Sequence, residues 1–200
     1  MKVAIIGAGW YGCHLATVLK KYDIEIDIYE KESEIFQQAS SKNQNRLHLG
    51  FHYPRSFLTR DQSKEGYKKF FKLYGDFCFK VEKNIYSVDN RKSLIDFETY
   101  VAIMESAKLD FKVVEYPFKI FSNLDGFIET NEMVIDFDLA KKYFEKELEE
   151  NLILNTAIIE SDIQECKKEI LISEKAYDYI INCTWGTFKP FNNVDIFYEP

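Results

Sequence analysis

Cysteine is scarce in this chain: four residues in 200, at positions 13, 78, 166 and 183, with no Cys-x-x-Cys pair. Such scattered thiols exclude a disulfide framework and a cysteine-based zinc site. They fit reduced side chains in a cytoplasmic protein. Long apolar runs are also missing. No stretch reaches the ~18 residues that a membrane-spanning helix needs, so no membrane association is expected. The first apolar segment is too short for a signal peptide and runs straight into a glycine turn. Excess positive charge is absent as well. The net charge of −7 argues against a nucleic-acid backbone as partner. There is no internal repeat and no low-complexity linker. Apolar residues make up 46%, charged residues 30% and aromatics 16%. This is the composition of a globular domain with a bulky core, and a chain of 200 residues needs no staples to hold one.

The most informative segment is Val3-Ala4-Ile5-Ile6-Gly7-Ala8-Gly9-Trp10-Tyr11-Gly12. A short apolar strand here enters a Gly-x-Gly-x-x-Gly turn, with Trp10 and Tyr11 between the last two glycines. Gly7 permits a sharp exit from the strand, Gly9 lets a pyrophosphate approach the backbone, and Gly12 lets the next helix pack close to the strand. That helix, expected over 10–21, would offer its unpaired N–H groups and partial positive charge to phosphates. A second apolar strand over 24–30 ends in Glu30, 18 residues beyond Gly12. This is where a carboxylate meets the adenosine ribose. An acid at this point favours a free 2′-hydroxyl, hence FAD or NAD over NADP, but does not separate FAD from NAD.

Further along, the hydrophobic spacing predicts a helix over 59–76 with Tyr67, Phe70, Phe71 and Tyr74 on one core-facing side. Strands are expected at 79–82 and 84–88, a helix at 96–108, and a strand at 111–115. Two more strands, at 127–129 and 133–135, flank a turn at Thr130-Asn131. Asp138 is placed as the cap of a helix running to about Glu150. A strand at 152–154, hairpins over 157–173 with a polar turn at 165–168, and a buried strand at 179–183 complete the reading. The regular βα alternation of a contiguous Rossmann domain does not continue past residue 60. A strand-and-helix insertion interrupts it, which fits flavoproteins better than NAD dehydrogenases.

Two later segments sharpen the assignment: Ala39-Ser40-Ser41-Lys42-Asn43-Gln44-Asn45-Arg46-Leu47-His48-Leu49-Gly50-Phe51-His52-Tyr53, and Tyr177 to Gly186 with its Cys183-Thr184-Trp185-Gly186 turn. With the glycine motif and Glu30, these resemble the FAD-dependent oxidoreductases of the D-amino-acid oxidase and glycine oxidase superfamily. The resemblance covers most of the chain and is sharpest at the first motif. It implies an α/β fold: a Rossmann-like FAD-binding domain (1–76 and 137–200) with an inserted, partly complete α+β substrate domain (77–136). It implies that Gly7, Gly9, Gly12, Trp10 and Tyr11 lie at the pyrophosphate and that Glu30 takes the ribose. Ser40, Ser41, Asn45 and Arg46 would lie near the pyrophosphate and flavin. Leu49 and Gly50 would pass beside the isoalloxazine ring, Ile158 or Ile159 would border the adenine, and Thr184 and Gly186 would run along the cofactor. Members of the superfamily continue well past the Thr-Trp-Gly turn, so the C-terminal portion of the family fold is missing from these 200 residues. An incomplete sheet would leave an apolar edge, a drive to homo-oligomerisation.

His48, His52, Tyr53 and Arg55 are candidates for the substrate side of the flavin, Arg55 as a bidentate partner for a carboxylate. Too few ligands stand near the two histidines for a metal site. The expected activity is oxidation of an amine, amino acid or hydroxy acid by hydride transfer to flavin, with no side chain assigned as the catalytic base. An NAD-dependent dehydrogenase, a non-catalytic nucleotide-binding module and a sugar-nucleotide flavoenzyme are the alternative readings.

Overall fold

The structure is a computed structural model that describes residues 1–115, 122–166 and 169–186. The chain folds into two compact units, Met1–Asn43 with Asp138–Pro200, and Gln44–Phe137. The first boundary therefore falls at 43/44, not at 76/77. The reason lies in strand pairing: residues 46–47 hydrogen-bond to residues 133–134 within the second unit. They carry the following helix with them.

In the first unit, β1 (Lys2–Ile6) buries Val3, Ala4, Ile5 and Ile6. Each such Val or Ile side chain contributes roughly 1.5–3 kcal/mol of hydrophobic stabilisation. Helix α1 (Trp10–Leu19) follows, ending in a short 3-10 turn over Lys20–Tyr22 rather than running on to 21 as α-helix. The helix buries Gly12, Cys13 and Ala16, while Leu15, Val18 and Leu19 remain half-buried. Small residues form the contact face because helix and strand backbones approach too closely for larger ones. Strand β2 (Glu25–Tyr29) pairs in parallel with β1. Strand β9 (Leu152–Ile153) extends the sheet beyond β2, and β13 (Tyr179–Asn182) pairs in parallel with β1 on its other side. The order β13-β1-β2-β9 turns back at β1. In open α/β sheets, ligands bind at the carboxyl ends of the strands beside such a reversal. β13, expected as a buried strand, lies at the edge of this described sheet, with Tyr179 60% exposed.

A three-stranded antiparallel meander packs against the sheet: β10 (Ile163–Glu165), β11 (Ile170–Ile172) and β12 (Lys175–Tyr177). Residues 167–168 of the turn expected at 165–168 lie outside the described residues. Ala4, Tyr29, Ile172 and Tyr177 form a core joining meander to sheet, with Ile158 packed against it. At its polar end the Tyr29 and Tyr177 hydroxyls lie 2.6 Å apart, and Tyr177 donates to Asp27 at 2.5 Å. Burial raises the Asp27 carboxyl, but the bonds from Tyr177 and Lys175 outweigh it and hold the group below its ordinary value. Helix α4 (Phe137–Glu147) begins one residue before Asp138, so this acid sits in the first turn rather than at the cap. There it still complements the helix dipole.

The second unit contains two antiparallel three-stranded sheets. β3 (Arg46–Leu47), β8 (Met133–Ile135) and β4 (Cys78–Lys80) form one, in the order β3-β8-β4. β5 (Asn84–Asp89), β7 (Leu124–Thr130) and β6 (Phe111–Val114) form the other, in the order β5-β7-β6. β7 and β8, the two strands expected on either side of Thr130-Asn131, thus pair in different sheets. The chain changes sheets there, and Glu132 stands at the crossing. Helix α3 (Phe97–Ser106) is capped by the Asp96 carboxylate, which accepts from the Thr99 N–H at 2.7 Å. It packs Tyr100 and Met104 against Phe51, Val88, Leu109 and Ile128.

Helix α2 (Phe57–Tyr74) is capped by Ser56, whose Oγ accepts from the Thr59 N–H. Its aromatic face is not the buried core that the spacing suggests. Only Tyr74 is buried and Phe71 is 44% exposed. The rings stack on one another along the helix instead, Tyr67 on Phe71 and Phe70 on Tyr74.

Candidate functional site

The glycine turn leaves β1 at the sheet's reversal point. Gly7 has φ +104, and a Cβ there would lie 2.7 Å from the Cys183 carbonyl oxygen. The bend thus requires glycine on two counts, and it brings the Cys183-Thr184 backbone beside the loop. A Cβ on Gly12 would lie 2.0 Å from the Gly7 carbonyl oxygen, which locks α1 against the bend. Gly9 differs: a Cβ there would meet only the Ser40 hydroxyl, at 3.2 Å. Two glycines are filled by the fold itself, and the middle one faces a single hydroxyl.

Gly9 precedes α1 and its N-terminus has no capping side chain of its own. The first backbone bond of the helix is Cys13 N–H to the Gly9 carbonyl, at 3.1 Å. The earlier N–H groups have no carbonyl within the helix. Ser40 Oγ takes the Trp10 N–H at 2.9 Å, an acceptor oxygen placed where the dipole favours negative charge. Trp10 stacks on Phe36, their rings 5.5 Å apart, and meets Phe144 edge-on. Phe36 adopts φ +69, a conformation uncommon for a bulky residue. Its N–H bonds to the Ala8 carbonyl at 3.1 Å, so the aromatic pair and this bond together fix the loop's far wall.

Glu30 reaches the same loop. It is 8% exposed, and its carboxylate accepts from the Ala8 N–H at 2.8 Å and the Glu32 N–H at 3.1 Å. The acid is thereby fixed at the tip of β2 and faces the glycine turn. Thr184 donates through both its N–H and its hydroxyl to Asn182 Oδ1, which shapes the turn after β13. Gly186 follows with φ +76. The first unit therefore gathers Gly7, Gly9, Gly12, Trp10, Glu30, Ser40 and the Thr184 turn. Four predicted residues stand differently. Tyr11 is 72% exposed. Ser41 is exposed and, among the described residues, bonds only to the Gln38 carbonyl. Ile158 is a packing residue of the sheet–meander core, and Ile159 is exposed.

The remaining predicted residues belong to the second unit, where they form a cluster of their own. The Asn45 carbonyl accepts from the Ile135 N–H at 2.8 Å. Arg46 lies over the Tyr86 ring at 5.1 Å, a cation–π contact. The His48 ring is 5.8 Å from His52 and 6.4 Å from Tyr53, and His52 is 5.5 Å from Tyr53. Arg60 holds this loop: buried, it donates from Nη1 to the Tyr53 and Pro54 carbonyls at 2.9 and 2.7 Å. Arg55 stands apart. It is exposed and, among the described residues, has no hydrogen-bond or ion-pair partner.

Two functional candidates were not visible in the sequence. Glu132 is 2% exposed, and its carboxylate accepts from the Leu49 N–H at 2.6 Å and the Tyr86 hydroxyl at 2.5 Å. His48 Nδ1 lies 3.6 Å from its Oε2. Burial raises the Glu132 carboxyl, but bonds from His48, Tyr86 and the Leu49 N–H outweigh this and hold it below its ordinary value. Burial, then the bond to Glu132, drives the Tyr86 hydroxyl upward, so it remains protonated. No local pattern marks these residues, because the contact closes over 83 positions of chain.

The Glu132 shift has a measurable consequence. A carboxyl whose folded value lies below its unfolded one contributes stability at higher pH and loses it as pH falls through the folded value. Glu132 should therefore stabilise the second unit fully above pH 4.5 and fail progressively below it. Denaturant unfolding followed from about pH 6 to about pH 3 checks this: the decline should be shallower in Glu132→Gln than in the native chain.

Among the described residues, no group of three or more His, Cys, Asp or Glu side chains is placed to hold a metal ion. None of the described helices is long and apolar enough to cross a membrane.

Comparison with known proteins agrees with this geometry. Residues 5–74 match the family described as NAD(P)-binding Rossmann-like domain. The chain is 36% identical over 197 residues to the FAD-dependent monooxygenase FPY4 of Fusarium mangiferae, covering 98% of this chain and 53% of that protein. It is 42% identical over 87 residues to the FAD-dependent monooxygenase kojA of Aspergillus flavus, covering 44% of this chain and 20% of that one. Its fold matches the FAD-bound L-α-glycerophosphate oxidase of Mycoplasma pneumoniae with a TM-score of 0.66 at 18% identity, over 90% of this chain and 52% of that one. The chain is thus similar in sequence to proteins named FAD-dependent monooxygenases, carries a Rossmann-like dinucleotide-binding segment over residues 5–74, and shares the fold of the FAD-bound glycerophosphate oxidase. It spans about half the length of FPY4 and of the glycerophosphate oxidase.

Proposed function

We propose that this chain is the cofactor-holding portion of an FAD-dependent oxidoreductase acting on an amine, amino acid or hydroxy acid. The observation that carries the reading is the arrangement at the N-terminus of α1. An oxygen acceptor, Ser40 Oγ, already occupies the helix end, the middle glycine meets nothing else among the described residues, and an acid is held at the loop's edge.

The residues present fit FAD. In this reading the Gly9 face and the first N–H groups of α1 take the diphosphate, Ser40 turning its hydroxyl to donate to it. Glu30 accepts from the adenosine ribose hydroxyls. Gly7 and Gly12 shape the bend without touching the ligand, and the Thr184-Gly186 turn borders it. When bound, FAD supplies a hydride acceptor for a C–H bond beside nitrogen or oxygen. His48, His52 and Tyr53 of the second unit are the substrate-side groups. Asn45, Arg46, Leu49 and Gly50 form the segment that would neighbour the flavin. The substrate is a small molecule, and the four unpaired cysteines support a cytoplasmic setting.

The test is spectral. The purified protein should carry or take up flavin, with visible absorbance and quenched flavin fluorescence. Gly9→Val should fold with an unchanged circular dichroism spectrum yet bind FAD at least about tenfold more weakly, a loss of ~1.4 kcal/mol. A colourless protein that refuses added FAD contradicts the reading, and so does a Gly9→Val variant with undiminished affinity.

A further inference from the structure

Two oxygens face the His48 ring, the Tyr86 hydroxyl and Glu132 Oε2, and the protons about them can be counted. Tyr86 has one hydroxyl proton, and at 2.5 Å from Glu132 Oε2 that proton is committed to the carboxylate. The Tyr86 oxygen that faces His48 Nδ1 at 3.4 Å is therefore an acceptor. The second group facing Nδ1, Glu132 Oε2 at 3.6 Å, is also an acceptor. Glu132 Oε1 is occupied by the Leu49 N–H. Among the described residues Nδ1 thus faces two acceptor oxygens and no donor, and a bare nitrogen there would meet a lone pair on each.

We propose that Glu132 is a positioning residue for His48: its buried carboxylate, with Tyr86 oriented by it, keeps the proton on Nδ1 and leaves Nε2 unprotonated in the neutral ring. In a neutral imidazole the partner of one nitrogen decides which nitrogen is the acceptor. The same carboxylate fixes the Leu49 backbone, so ring orientation and the Leu49-Gly50 segment are set by one residue. The other charged and titratable groups about the cluster are Arg46 over the Tyr86 ring, His52 and Tyr53 on the loop side, Tyr100, whose hydroxyl burial and then the Glu132 charge push up, and Tyr67, raised by burial, then Cys78, then Glu132.

A bare Nε2 is a hydrogen-bond acceptor, and this selects a class of substrate group. It pairs with a hydroxyl or ammonium hydrogen and repels a carboxylate. The inference that His48 engages the O–H or N–H beside the oxidised carbon rests on the oxidoreductase reading above. The tautomer does not.

The test is ¹⁵N NMR of the histidine rings in the full protein at a pH where they are neutral, with His14 and His52 as internal references. His48, assigned with His48→Gln, should show a protonated Nδ1 and an unprotonated Nε2. Glu132→Met, which keeps the volume and removes the acceptor, should move His48 to the ordinary Nε2–H form. Tyr86→Phe should leave it as Nδ1–H, because the carboxylate remains. This last variant carries the test where Glu132→Met does not fold. An Nε2–H tautomer in the native protein overturns the proposal, as does retention of Nδ1–H in folded Glu132→Met or its loss in Tyr86→Phe. A failure to bind FAD, with the Nδ1–H tautomer intact, would sink the oxidoreductase reading and leave this one standing.

Discussion

Gly12→Ala should cost the first unit at least about 3 kcal/mol of stability, a loss larger than a single overpacked methyl group ordinarily causes. The added carbon would lie 2.0 Å from the Gly7 carbonyl oxygen, a backbone atom with no rotamer to turn aside. Relief requires α1 to move away from β1. That motion would open the buried Cys13 and Ala16 face and pull the Trp10 N–H from Ser40. Gly7 cannot yield either, since its φ of +104 and the Cys183 carbonyl hold it in place. Thermal or denaturant unfolding measures the effect directly. The contrast with Gly9→Val is the informative part: one substitution should damage the fold, the other only the ligand. Equal stability of Gly12→Ala and the native chain would mean that helix and strand are not in the close register described.

Glu132→Ala should destabilise the second unit by about 3 kcal/mol or more, since each buried donor left without its acceptor costs about 1–3 kcal/mol. It would strand the Leu49 N–H, the Tyr86 hydroxyl and His48 Nδ1 without their common acceptor. Glu132→Gln should cost less, because its carbonyl oxygen still satisfies one donor while the amide group opposes another. Denaturant melts of the three proteins at neutral pH should rank native above Gln above Ala. An Ala variant as stable as the native chain would show that the three donors find other partners, and the network would lose its claim to organise this cluster.

The first 30 residues were legible because every requirement there is local. Strand, bend, helix and acid follow one another, and the glycines mark where backbone meets backbone or ligand. The acid at position 30 could be placed at the loop by its spacing alone, and the Ala8 N–H bond to Glu30 shows the contact. The second unit was legible as elements but not as partners. The spacing around Thr130 reads as two strands about a turn and does not say what they pair with; β7 and β8 pair in different sheets, a choice made by residues 46–47 and 84–89 far away in sequence. The domain boundary was displaced for the same reason. The aromatic face of α2 has core periodicity, but i, i+4 stacking satisfies its rings without burial. His48, His52 and Tyr53 were singled out by residue type and proximity. Glu132, which bonds at one end of that group, is an ordinary acid between two strands until the fold brings Leu49 and Tyr86 to it.

The central claim is that the bend from Gly7 to Gly12 and the carboxylate of Glu30 grip the adenylate half of FAD. Parallel titrations of the protein with FAD and with FMN, which keeps the flavin and lacks the adenosine, address it most directly. FAD should bind and FMN should bind far more weakly, with Glu30→Ala narrowing the gap. Equal affinity for the two flavins, or a Glu30→Ala protein that discriminates between them as well as the native chain, would contradict it.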